Sequence, residues 1–129
     1  LGTITATRTP LVFLTSNASR ELSEALKRRC LFLHLDYPDV TRERDIVLAR
    51  VPGISERLAE QVADVVRSLR AMDLKKRPSV SETLDWAQAL VLLSQESVTD
   101  ASVRDYLHVL LKNRSDIALA TERFSGVSA

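Results

Sequence analysis

The chain has 129 residues, of which 45% are hydrophobic and 27% are charged, with 18 Lys and Arg against 17 Asp and Glu. This near-neutral balance excludes a protein that coats nucleic acid through a basic excess, and the apolar content excludes an intrinsically disordered chain. No apolar run approaches the roughly 18 residues that span a bilayer, and the only cysteine, Cys30, has no second thiol for an internal disulfide. We therefore expect a cytoplasmic domain whose partners include neither nucleic acid nor membrane.

The first third of the chain has the sequence patterns of strands. In residues 1–9, threonines alternate with other side chains, which is weak strand character. Pro10 interrupts this pattern, because it has no amide hydrogen to donate in a sheet. Residues 11–14 form a short apolar run, typical of a strand that is buried on both faces. Residues 30–36 also predict a strand, with Leu31, Leu33 and Leu35 on one face and Phe32 and His34 on the other. Between them, residues 19–29 predict a helix whose basic last turn suits the negative end of the helix dipole.

From residue 39 onward the spacing of apolar residues is helical. The predicted helices are separated by polar or helix-breaking residues such as Pro52 and Gly53, and they cover residues 41–51, 54–72, 79–93, 100–111 and 115–124. Ser79 followed by Glu82 is the signature of a capping box at a helix start. We expect Trp86 to anchor the core of the resulting bundle.

A domain boundary is predicted at residues 37–40, where the strand-like patterns end. We expect residues 1–38 to be the remnant of an α/β core, residues 39–124 to be a helical domain, and residues 125–129 to be a flexible tail. Two buried strands alone do not make a stable sheet, and the chain begins at Leu1 rather than at Met. We therefore expect a mostly α fold of the α+β class and a chain that is a piece of a longer protein.

Residues that would make a self-sufficient active site are missing from the sequence. It contains no G-x-x-x-x-G-K-[ST] phosphate loop and no G-x-S-x-G nucleophile elbow. With a single cysteine, and with His34 and His108 far apart in sequence, no spacing suggests metal ligands, so we expect no metal site.

Two polar features remain, and each has two interpretations. Asn17 follows an apolar strand-like run, where a short amide can hold a water or a phosphate oxygen, but an Asn at this place can equally open a turn and cap the next helix. Arg28 and Arg29 end a predicted helix. Arginine binds phosphate through two parallel hydrogen bonds, yet the pair taken alone is more typical of a helix C-terminus that faces solvent.

Three strings of the sequence together resemble the second half of an AAA+ ATPase module of the MoxR family, in particular its CoxD-like members. PLVFLTSN resembles the strand that ends in the sensor-1 residue. ELSEALKRRCLFLHLDYPD resembles the arginine-finger helix and the last strand of the AAA+ core. KKRPSVSETLDWAQALVLL resembles the third helix of the lid domain. The resemblance extends from Pro10 to about Leu111.

This resemblance implies a role for individual residues. Asn17 would be sensor 1, which positions the attacking water or touches the γ-phosphate. Arg29, which precedes Cys30 as the finger does in clamp-loader relatives, would be the catalytic arginine finger, with Arg28 as the alternative if the register differs by one. The usual sensor-2 arginine has no counterpart near the start of the third lid helix, where the chain has Ser81 or Glu82. Arg77, just before that helix, is the candidate replacement, and the alternative is that it is a solvated residue of the connector.

The resemblance also implies cofactors and partners. The parent protein would bind ATP and Mg²⁺, form a ring (a hexamer by analogy), and use ATP hydrolysis to remodel or mature a protein partner, such as one with a von Willebrand factor A domain. Because the phosphate loop and the acidic Walker-B strand are absent from these residues, we expect this chain alone to be inactive and to bind no nucleotide tightly. The alternative is a stand-alone helical module that binds a protein partner without nucleotide chemistry.

Overall fold

A computed structural model describes residues 2–17 and 21–125 of the chain. The chain divides into two compact units, Leu1–Leu35 and Asp36–Ala129, which are called below the amino-terminal unit and the helical unit. The described residues contain six α-helices, so the fold is mostly α as predicted. One of these helices belongs to the amino-terminal unit and the other five belong to the helical unit.

The predicted strands are not formed in the described part of the amino-terminal unit. Residues 2–17 and 31–36 have no regular secondary structure, so the prediction of short strands at the start of the chain is wrong for this structure. The physical reason is the lack of cover: Leu11 and Phe13 are 84% and 81% exposed, and Leu33 is 78% exposed. An apolar strand is stable only inside a sheet that covers it.

The first helix, α1, is much shorter than the sequence pattern predicts. It covers Glu24–Lys27, with the Ser23 side chain accepting a hydrogen bond from the backbone N–H of Leu26 at 3.3 Å. The predicted start at Ser19 lies outside the described residues. None of the α1 residues is fully buried, and a short helix with little buried surface gains too little to offset the cost of nucleation.

The helical unit contains the remaining five helices, and their bounds lie within two residues of the predicted ones. They are α2 Val40–Arg50, α3 Glu56–Arg70, α4 Val80–Leu92, α5 Asp100–Leu110 and α6 Arg114–Phe124. Helix α2 packs against α3 and α4, α4 also packs against α3 and α5, and α5 packs against α6. Each helix starts at a polar N-cap whose side chain accepts a hydrogen bond from a backbone N–H of the first turn, namely Asp39, Ser55, Ser79, Thr99 and Asn113.

A single apolar core holds these helices together. Trp86, at the centre of α4, is fully buried, which confirms its predicted place in the core. The helical spacing of apolar residues marks the buried face of α3, because Leu58, Val62, Val66 and Leu69 are all at most 3% exposed. At about 1.5–3 kcal/mol for each fully buried aliphatic side chain, this face is a main source of stability for the unit.

Two connections in the helical unit need residues with positive φ. After α2, Pro52 and Gly53 form a tight turn in which Gly53 has φ +80°. After α4, Ser94 has φ +55°, the N–H of Gln95 donates to the carbonyl of Leu90 at 2.9 Å, and the N–H of Ser94 donates to that of Val91 at 3.0 Å. This is the Schellman arrangement, which favours glycine where the chain has Ser94.

We expect Ser94→Gly to stabilise the helical unit by about 0.5–1 kcal/mol, because glycine adopts positive φ without a Cβ clash. The measurement is urea unfolding followed by the emission of Trp86, the single tryptophan. The matched control is Ser81→Gly inside α4, which should destabilise by about 0.5 kcal/mol. Equal signs for the two glycine substitutions would contradict this account of the turn.

Candidate functional site

Three of the four predicted site residues lie in the amino-terminal unit. Arg28 is the C-cap of α1 and donates its backbone N–H to the Glu24 carbonyl at 3.0 Å, and the N–H of Arg29 donates to the Leu26 carbonyl at 3.1 Å. Both arginines are exposed, and so is Asn17. The structure therefore brings Arg28 and Arg29 together at the end of one short helix, on a surface open to solvent.

The fourth predicted residue, Arg77, lies in the connector between α3 and α4, and its side chain is exposed. The connector is held by a buried carboxylate in the first turn of α6: Asp116, which is 3% exposed. Its two oxygens accept the backbone N–H groups of Lys75 at 2.9 Å and Lys76 at 3.1 Å. The backbone leading to Arg77 is thus fixed by a side chain about 40 residues further along the chain.

The N-terminus of α4, immediately after Arg77, is occupied by an anionic side chain of the protein itself. Glu82 Oε2 accepts hydrogen bonds from the Ser79 backbone N–H at 2.7 Å and from the Ser79 hydroxyl at 2.5 Å. The Lys76 ammonium lies 3.4 Å from Glu82 Oε1. An anionic ligand at this helix end would therefore compete with the Glu82 carboxylate.

These contacts change the acidity of Glu82. Burial by itself raises the pKa of this carboxyl, but the hydrogen bonds from Ser79 and the charge of Lys76 outweigh burial and hold the pKa below its usual value of 4.5. The charged form of Glu82 is therefore part of the folded state.

A buried ion pair also contacts the start of α4. Glu43 of α2 is 2% exposed and the Arg70 side chain, at the end of α3, is 10% exposed. Arg70 Nη2 donates to Glu43 Oε1 at 2.9 Å, and Arg70 Nη1 donates to Glu43 Oε2. The two parallel hydrogen bonds are the bidentate arrangement that the planar guanidinium and carboxylate groups allow.

Three further groups complete the surroundings of this pair. Arg70 Nε donates to the Pro78 carbonyl oxygen at 2.9 Å, and the buried Thr83 hydroxyl donates to Glu43 Oε1 at 2.8 Å. The Tyr37 ring lies against the guanidinium, with 4.3 Å between Arg70 Cζ and the ring centroid. The pair therefore joins three helices and the segment before α2.

Reasoning from the sequence missed this network, although its members leave a signal. Glu43 is four residues before the buried Val47, Arg70 is four residues after the buried Val66, and Thr83 is three residues before Trp86. Each polar residue therefore interrupts an apolar face at helical spacing. A charge at such a place is rarely buried without a partner of opposite sign.

Among residues 2–17 and 21–125, no group of three or more His, Cys, Asp or Glu side chains could hold a metal ion. In the same residues, the helices are all too short or too polar to cross a membrane.

Compared with known proteins, the chain matches no family model, no curated protein and no solved structure.

Breaking the buried pair should be costly. Arg70→Met leaves the Glu43 carboxylate buried without its counter-charge, and we expect a loss of about 3–5 kcal/mol of unfolding free energy. Urea unfolding followed by Trp86 emission measures the change. The exposed Arg67, one turn earlier in α3, is the matched control, and Arg67→Met should cost less than about 0.5 kcal/mol.

A second variant separates the charge from the packing. Adding Glu43→Leu to Arg70→Met removes both charges, and most of the lost stability should return. If the double variant is as unstable as Arg70→Met, the cost comes from packing rather than from an unpaired charge.

The capping box predicts a pH dependence. Because the pKa of Glu82 is lower in the folded state than in the unfolded chain, its charged form adds stability above pH 4.5, and this stability is lost as the pH falls through the lowered value. Glu82→Gln should therefore lower the thermal midpoint at pH 7. The difference in midpoint from the wild type should become smaller as the pH falls below 4.5. In a Ser79→Ala background, the pH dependence of the same substitution should be much smaller.

Proposed function

We propose that the chain is the carboxyl-terminal part of a MoxR-type AAA+ ATPase, comprising the end of the α/β core and the helical lid. The parent protein would couple ATP binding and hydrolysis to remodelling or maturation of a protein partner. The observation that carries the proposal is the pair Arg28 and Arg29, exposed at the end of a helix that follows the TSN string and precedes a second apolar segment. The arrangement of five helices after that segment supports the assignment of a lid.

The uncovered apolar segments support the proposed origin of the amino-terminal unit. Leu31 and Leu35 are 104% and 80% exposed, and Leu11 and Phe13 are exposed to a similar degree. Proteins rarely present so many large apolar side chains to water without a partner surface. In the proposal, residues 11–14 and 31–35 are strands of an AAA+ sheet whose other strands belong to the parent protein.

The proposed roles follow from charge and position. Arg29 would act as the catalytic arginine finger, with Arg28 as the alternative, and would reach the ATP site of a neighbouring subunit in a ring. An arginine that neutralises the charge of the transferring phosphoryl group accelerates related reactions by about 10³–10⁵. Asn17 would position the attacking water, and Arg77 would approach the phosphates from the α3–α4 connector.

Cofactors and partners belong to the parent protein in this proposal. ATP and Mg²⁺ would be held by a phosphate loop and an acidic strand end that these 129 residues do not contain. The ring, a hexamer by analogy, would act in the cytoplasm on a protein partner, such as one with a von Willebrand factor A domain. The chain alone would bind nucleotide weakly and would not hydrolyse it.

A second candidate is a stand-alone helical module that binds a protein partner without nucleotide chemistry. One observation favours it: the helical unit has a closed core of its own, built from residues of all five helices, such as Val47, Leu69, Leu90, Leu107 and Ala120, each fully buried. A unit with such a core does not need a nucleotide-binding domain in order to fold.

Substitution of Arg29 in the parent protein tests the AAA+ proposal. Arg29→Ala should abolish ATP turnover and leave ATP binding nearly unchanged, because the finger contacts the transferring phosphate and not the bound nucleotide of its own subunit. Steady-state hydrolysis and equilibrium binding of a fluorescent ATP analogue measure the two quantities. The matched control, Arg57→Ala on the exposed face of α3, should retain full turnover.

A subunit-mixing experiment tests whether the finger acts in trans. Subunits with Arg29→Ala still have an intact ATP site, whereas subunits with a disabled phosphate loop still have an intact finger. Mixed rings should therefore recover part of the activity that each variant lacks alone. Full turnover by Arg29→Ala, or a parent protein without any ATPase activity, would overturn the proposal, and the second result would favour the stand-alone module.

A further inference from the structure

The start of the helical unit is attached to its interior through one aromatic contact. Tyr37 lies two residues before Asp39, the N-cap of α2, and its ring is half exposed. The ring contacts the guanidinium of Arg70, with 4.3 Å between Arg70 Cζ and the ring centroid. The Arg70 side chain is only 10% exposed. A guanidinium over an aromatic face is attracted by the negative charge of the ring face.

The same guanidinium is fixed on its edges by hydrogen bonds. Two of its nitrogens donate to Glu43, and Nε donates to the Pro78 carbonyl at 2.9 Å. Because a guanidinium is a rigid plane, it cannot follow a movement of the Tyr37 ring without changing its hydrogen bonds. A movement of the guanidinium together with the Tyr37 ring therefore changes the hydrogen bond to Pro78.

Pro78 directly precedes Ser79, the N-cap of α4. The Ser79 carbonyl accepts the N–H of Thr83 at 3.1 Å, and the Thr83 hydroxyl donates to the same Glu43 carboxylate. The start of α4 is thus tied to the guanidinium by two routes, one through the Pro78 carbonyl and one through Glu43 and Thr83.

We propose that Arg70 is a coupling residue, which makes the segment Tyr37–Asp39 and the start of α4 change conformation together. Loosening of either site weakens the other, because both use one rigid group. The coupling lies entirely within the helical unit, so it goes beyond the function proposed above and does not depend on nucleotide chemistry. It gives any partner that contacts Tyr37 a means to alter the helix end beside Arg77.

Hydrogen exchange of the full chain tests the forward direction. Tyr37→Leu removes the ring face, and we expect the amides of Ser79, Glu82 and Thr83 to exchange about fivefold faster, the factor that corresponds to loss of a cation–π contact at a partly exposed site. Tyr37→Phe keeps the ring face and should leave these amides within about twofold of the wild type. The amide of Leu107, in α5, is the internal reference for global opening.

Fluorine NMR tests the reverse direction, which thermodynamic reciprocity requires. The chain has two tyrosines, so labelling with 3-fluorotyrosine gives one signal for Tyr37 and one for Tyr106. Ser79→Ala at the α4 cap should shift the Tyr37 signal and leave that of Tyr106 in place. The proposal is overturned if Tyr37→Leu changes exchange equally at Leu107 and at the α4 start, or if Ser79→Ala leaves the Tyr37 signal unmoved.

Discussion

One charge pair constrains the helical unit, because Glu43 and Arg70 are opposite charges that are buried together. Apolar side chains tolerate small displacements, whereas a bidentate fork is lost when either helix moves by about the length of a hydrogen bond. Leaving a buried neutral donor or acceptor without a partner costs about 1–3 kcal/mol. An unpaired buried carboxylate would cost more. The relative positions of α2, α3 and α4 are therefore set by the ion pair as well as by the core.

Polar side chains also fix the irregular connections between the helices. The Asp116 carboxylate accepts two backbone N–H groups of the α3–α4 connector, and Gln61 Oε1 accepts the N–H of Val98, before α5, at 2.8 Å. Backbone donors that helices cannot satisfy are thus satisfied by side chains from distant elements. This arrangement explains how a unit with few aromatic residues holds its connectors in place, and it places Arg77 on a segment whose backbone is fixed.

The sequence predicted the features that depend on residues close together along the chain. Helices α2 to α6 and the Ser79–Glu82 capping box follow from local spacing. It did not predict the pairing of Glu43 with Arg70, which are 27 residues apart, because helical spacing shows which face a residue occupies and not what lies opposite. The strand patterns failed for a related reason, since residues 11–14 and 31–35 have strand-like sequences and a strand needs neighbours to form. The assignment of Asn17, Arg28, Arg29 and Arg77 to an ATP site stays a prediction.

The two units differ in whether their charges are paired and whether their apolar side chains are buried. This difference affects where an arginine could act in catalysis. In the helical unit, Arg70 is desolvated and fully engaged by its own chain. Arg28 and Arg29 instead face water, where screening makes a charge worth little. An arginine gains catalytic strength when a low-dielectric surface covers it and its target together. The apolar side chains exposed in the same unit, such as Leu31 and Leu33, are suited to form such a surface with another chain or domain. Any catalytic role of Arg29 is therefore a property of an interface and not of the isolated unit.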